Sequence, residues 1–205
     1  MESLGREDIE RLMFFEHARE VAEKEFQANP RDAVALTKWG GALLELAHFR
    51  QGGEAAEMIE EAIDKFKQAL TIDDSRHDAL WCLGNAYTSQ GFLSGDEASA
   101  NQFFTKASDC FHKAVEQEPS NDSYRRAKEM STKAPQLYVE LQRQLAAAGH
   151  QGGLGGGSPG AATAQKKKPL ISDFWYDVAG WACLVGLAMG LVALQKNAPV
   201  AAAAK

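Results

Sequence analysis

Cysteine is sparse in this chain. Cys82, Cys110 and Cys183 stand far apart, with no CxxC and no Cys/His spacing, which argues against a zinc module. An odd, scattered set fits a reducing compartment and small buried side chains. The five histidines, His17, His48, His77, His112 and His150, are equally dispersed. No HExxH, GxSxG or paired-carboxylate signature accompanies them, so the sequence offers no enzyme, no cofactor and no metal site. The opening MESLGREDIE lacks both an apolar run and an Arg-rich stretch, which excludes a secretory signal and a transit peptide there. A basic excess is also missing. Residues 1–150 carry 17 Lys and Arg against 26 Asp and Glu, a net charge of −9. Such a domain repels nucleic-acid phosphates and attracts basic ligands. Asn121-Asp122-Ser123 matches a glycosylation sequon, but a cytosolic domain never meets the enzyme.

Proline is scarce before residue 150, and Ala, Glu, Leu, Gln and Lys dominate. Both features favour helix. The expected fold class is all-α, with a soluble part of one ordinary domain, long enough to bury a core.

An internal repeat runs through that part. Leu36-Thr37-Lys38-Trp39-Gly40-Gly41-Ala42-Leu43 aligns with Leu80-Trp81-Cys82-Leu83-Gly84-Asn85-Ala86-Tyr87, 44 residues on. Both read large-x-x-large-Gly-x-Ala-large, with Gly where a paired helix must come close. Ala62-x-x-x-Phe66-x-x-Ala69 aligns with Ala107-x-x-x-Phe111-x-x-Ala114 at an offset of 45. This pattern resembles the tetratricopeptide repeat, a helix pair of about 34 residues. The greater spacing predicts about ten extra residues between paired helices, near 48–56 and 92–100. Pro30 is expected at a first helical position, and Ser75-x-x-Asp78 and Ser94-x-x-Glu97 as capping boxes. Gly52 and Gly91 read as helix stops. A first helix is expected over about 6–28, with Ala18, Ala22 and Phe26 on one side. A last helix is expected over 121–147, kinked or broken near Pro135. Two loop-expanded tetratricopeptide-like repeats with flanking helices result.

The C-terminal quarter differs. The stretch GHQGGLGGGSPGAATAQ reads as flexible tether. No GK[ST] follows its glycines, so it is not a phosphate loop. Residues 178–194, VAGWACLVGLAMGLVAL, carry no charge. At about 1.5 Å per residue they span roughly 25 Å, enough for a thin membrane. Phe174, Trp175, Tyr176 and Trp181 place aromatics at one interface, and Lys196 marks the other. Lys166, Lys167 and Lys168 lie on the cytosolic side. The expected organisation is a cytosolic domain 1–148, a linker 149–172, a transmembrane tail anchor 173–195 and a short tail 196–205 beyond the membrane. A short span diluted by Gly and Ala suits the mitochondrial outer membrane, with the endoplasmic reticulum as competitor. Ala182, Gly186 and Gly190 share one face, where backbones of a partner helix can approach.

Stacked helix pairs leave a concave groove lined by their first helices. Repeat phase places Val34, Lys38, Gly41, Leu44 and Glu45 there from the first pair, and Asp78, Trp81, Cys82, Asn85 and Thr88 from the second. Two placements stay open for Trp81: a groove anchor, or a side chain packed beneath the C-terminal helix. An apolar floor with acidic surroundings can hold an amphipathic, Arg-rich helix by its apolar face.

The order of these parts resembles one family, the plant-type twenty-kilodalton receptor of the outer mitochondrial membrane translocase. Phe14-Phe15-Glu16-x-Ala18-Arg19 and DFWYDVAGW carry the likeness at the two ends. The resemblance implies a receptor for mitochondrial presequence peptides that meets other translocase subunits through its membrane helix. It transfers no individual binding residue. Two alternatives remain. One is a tail-anchored adaptor for organelle fission, which takes a folded protein as its ligand. The other is a chaperone-docking module, opposed by Thr37 and Gly41 where that class carries Lys and Asn.

Overall fold

Alanine-rich stripes at helical spacing organise the helical region. The structure, a computed structural model, describes residues 5–151, with side chains to 147. Among these residues it contains seven helices and no strand: α1 (Arg6–Ala28), α2 (Ala33–Ala47), α3 (Gly53–Ile72), α4 (His77–Leu93), α5 (Glu97–Gln117), α6 (Asp122–Ser131) and α7 (Ala134–Gln151). The all-α expectation holds for this region. Each helix from α1 to α5 packs on the next in sequence, and α7 packs on α5. Alternate helices also meet, α2 with α4 and α4 with α6.

The core is a repeated small-and-large stripe. On α3, Ala55, Ile59, Ala62, Phe66 and Ala69 are buried, and on α5 the counterparts Ala100, Phe104, Ala107, Phe111 and Ala114 are buried too. The facing helix supplies a glycine each time. A Cβ on Gly40 would fall 2.7 Å from the Phe66 ring, and one on Gly84 would fall 2.6 Å from the Phe111 ring. Neither distance is tolerable, so each ring fixes how closely its helix pair approaches. Phe26 of α1 reaches Trp39 of α2, with ring centroids 6.1 Å apart. Ala22 is buried, while Ala18 and Phe26 are half-buried, as the α1 pattern predicts.

Several local expectations give way. The extra residues are not loops. The helix pairs are joined by 48–52 and 94–96, and the added length extends α3 to 20 residues and α5 to 21. The apolar stripes continue unbroken through those segments, so helix burial wins over a loop. Gly52 starts a helix rather than stopping one. It caps α3 with φ +59°, a conformation only glycine adopts at little cost. Gly91 lies inside α4, where a Cβ would meet the Phe104 ring at 2.5 Å. Pro30 sits in the turn before α2, and Asp32 caps that helix by accepting the Ala35 N–H at 2.9 Å.

Neither serine capping box forms. Ser75 donates to the Asp73 carboxylate within the preceding turn, and that bond holds the Asp73 carboxyl below its usual range. Ser94 ends α4, and Asp96 caps α5 through the Ser99 N–H. Aspartate competes well for a cap position. The last expected helix is broken near Pro135, as predicted. Asn121 caps α6, the chain bends at Thr132 and Lys133, and Pro135 falls in the first turn of α7, where its missing N–H costs nothing. The Tyr138 hydroxyl donates to the Ser94 carbonyl at 2.8 Å, tying α7 to the end of α4. Helix α7 runs to Gln151 and so takes in the first three residues of the expected linker, 149–151.

No helix among the described residues is long and apolar enough to cross a membrane. The predicted anchor 173–195, with Ala182, Gly186 and Gly190, lies outside the described residues.

Candidate functional site

Helices α2 and α4 lie side by side, with α6 against α4. On α2, Val34, Lys38, Gly41 and Glu45 recur at spacings of three and four, which puts them on one face. On α4, Asp78, Trp81, Cys82, Asn85 and Thr88 do the same.

The α2 face is open at its centre and closed at its end. Val34 is 42% exposed. Lys38 is exposed and ion-paired with Glu25 of α1 at 3.0 Å. Gly41 is a real gap, because a Cβ there would touch nothing within 4 Å. Leu44 is half-buried beside it. Glu45 is 6% exposed, with Arg11 Nη2 of α1 and His48 Nδ1 both 3.8 Å from its Oε2.

On α4, Asp78 is half-buried and salt-bridged to Arg76. Cys82, Asn85 and Thr88 are half-buried, and the Thr88 hydroxyl turns inward to the Gly84 carbonyl. Burial pushes the Cys82 thiol up to about 12, with the Asp78 and Glu45 carboxylates adding to the rise. Those two charges on one sulfur place α2 and α4 within electrostatic reach. A thiol held neutral in this way is neither nucleophile nor metal ligand.

Trp81 takes the second of its two expected placements. It is 6% exposed and packs under Tyr124 of α6, with ring centroids 5.9 Å apart. The Tyr124 hydroxyl hydrogen-bonds His77 Nδ1 at 2.8 Å, which fastens α6 over the tryptophan. Burial raises the Tyr124 phenol well above its usual range, helped by Asp78 and Cys82. Tyr124 therefore covers the indole on this face.

Three residues of this region escaped the sequence reading: Arg11, Arg76 and Tyr124. Arg11 and Glu45 are brought together only by packing of α1 on α2. Arg76 reaches Asp78 because the chain turns just before α4. Tyr124 had a faint signal, since it lies in the first turn of a helix expected to begin at Asn121.

The model of the plant-specific mitochondrial import receptor subunit TOM20 family matches residues 9–198. The chain belongs to that family. It is 42% identical over 197 residues to mitochondrial import receptor subunit TOM20-3 of Arabidopsis thaliana, covering 94% of this chain and 96% of that protein. It is 45% identical over 188 residues to subunit TOM20-4 of the same plant, covering 92% of each. The TOM20 match takes in every residue of the α2–α4 face. It also takes in Ala182, Gly186 and Gly190.

Proposed function

We propose that this TOM20-family chain is an import receptor at the mitochondrial outer membrane, which binds amphipathic basic presequences on the α2–α4 face and passes them to the translocase pore. The observation that carries the reading is the open floor at Gly41 on α2, a helix that packs against α4. An apolar helix ridge fits such a gap. The carboxylates on this face, Glu45 and Asp78, already have internal cations. Attraction for a basic ligand therefore comes mainly from the net charge of −9 over residues 1–150. Such a field speeds encounter more than it tightens the complex. A receptor that hands on its cargo needs weak binding, on the order of 0.1 mM or about −5.5 kcal/mol.

The recurring Gly–Phe contact and buried stripe support reading α2–α3 and α4–α5 as two tetratricopeptide-like repeats. The uncharged stretch 178–194 supports a tail anchor over 173–195, with 196–205 in the intermembrane space. Ala182, Gly186 and Gly190 then offer a packing face to other translocase subunits.

The test compares a presequence-like peptide with a scrambled peptide of the same composition that lacks the apolar stripe. The ordered peptide is expected to bind the full chain about tenfold or more tightly than the scrambled one, and Gly41→Leu to remove most of that advantage. Equal binding of the two peptides rejects the presequence reading.

A further inference from the structure

Glu45 is the one carboxylate of the α2–α4 face that is nearly sealed from water; its side chain is 8% exposed. A buried carboxylate needs hydrogen bonds to offset its lost hydration. Its Oε2 has none. Arg11 Nη2 and His48 Nδ1 both stop 3.8 Å from that oxygen, too far for a hydrogen bond. The charge is attended, but the acceptor capacity of this oxygen is unspent.

Arg11 reaches this place from α1. Its guanidinium lies over the Phe49 ring, 5.7 Å from the centroid, and its side chain is 39% exposed. Cation–ring contact holds the group at the rim, between solvent and the carboxylate. A planar guanidinium poised beside a carboxylate is also what an arginine-bearing peptide would present there.

We infer that Arg11 is a built-in competitor, standing where an arginine of the incoming basic helix binds, so that Glu45 is the specificity-determining acceptor and Arg11 the group displaced. The inference rests on the presequence reading and deepens it. A peptide guanidinium free to approach Glu45 squarely forms the short bonds that the α1 tether denies Arg11. The displaced Arg11 swings away from Glu45 and the Phe49 ring into water. Binding is thereby kept weak and selective for arginine, because a ligand without a strong cation cannot dislodge the internal one.

The experiment uses the full chain in lipid nanodiscs and the ordered basic peptide, alongside the same peptide with citrulline, the neutral isostere, in place of arginine. Arg11→Gln is expected to tighten the arginine peptide about three- to tenfold. Glu45→Gln is expected to weaken it about tenfold and to abolish the preference over citrulline. Adding Arg11→Gln to Glu45→Gln should then give no gain, since the contested acceptor is gone. In the unaltered chain, the Arg11 Nε–H resonance should move to a solvent-exposed position at saturating peptide. An Arg11→Gln chain of native helicity that binds equally or more weakly overturns the inference, and so does an Arg11 resonance that stays in place. Failure of the parent reading looks different: the unaltered chain then binds ordered and scrambled peptides alike, and both proposals fall together.

Discussion

The two helix pairs, α2–α3 and α4–α5, bury the same stripe and present different faces. Gly40 and Gly84 receive Phe66 and Phe111 in nearly the same contact. One step along, the registers diverge. Thr37 matches Trp81, Gly41 matches Asn85, and Glu45 matches Ser89. Thr37 and Ser89 turn their hydroxyls back to carbonyls of their own helices, Ala33 and Asn85. The difference shows that the stacking contact constrains one stripe per helix, while the neighbouring stripe is free to specialise. In the first pair it became an open floor with a buried carboxylate. In the second it became a seat for α6.

The strongest way to break this comparison is to exchange its divergent positions. Trp81→Ala should cost about 3 kcal/mol, because it empties the space beneath Tyr124. Thr37→Ala should change stability by less than about 0.5 kcal/mol, since the lost hydroxyl bond is offset by better helix propensity. Denaturant unfolding checks both, and similar losses at the two sites would mean that α6 is not seated on the indole.

Adjacent glycines give a second, smaller contrast. Gly40→Ala should destabilise by about 1–3 kcal/mol, because its Cβ would press on the Phe66 ring. Gly41→Ala should stabilise by about 0.5–1 kcal/mol, since open space receives the methyl and alanine favours helix. A melting temperature that moves the same way in both variants would contradict the open floor.

The smallest effect is expected at high pH. Burial raises the Cys82 thiol from 9.0 to about 12 and the Cys110 thiol to about 11. Both groups are acids with raised folded-state values, so their contribution is whole below pH 9 and is lost as pH rises from there toward 11–12. Unfolding midpoints should fall across that window, and Cys82→Ala should flatten the slope. A slope unchanged by that substitution would place the thiol in water.

Much of this architecture is legible in the sequence. The 45-residue recurrence of Ala62, Phe66 and Ala69 in Ala107, Phe111 and Ala114 marks the two core stripes. Gly40 and Gly84 mark the helix approaches, and Pro135 marks the break before α7. Helix starts were harder to read, because Ser75 and Ser94 compete with nearby aspartates for the same amides. The connections at 48–52 and 94–96 are shorter than the repeat spacing predicts, because unbroken burial, not sequence spacing, decides where a helix ends.

The face divides along the same line. Residue periodicity by itself determined which side chains of α2 and α4 share a side, since 3.6 residues per turn leaves no choice. Only the tertiary structure decided which of them stay open to the outside. Trp81 is hidden because α6 folds back over it, and Glu45 is attended because α1 brings Arg11 alongside. Arg11 and Glu45 are distant in sequence, and Trp81 and Tyr124 more so. Their meeting depends on how neighbouring helices dock, which local spacing does not encode.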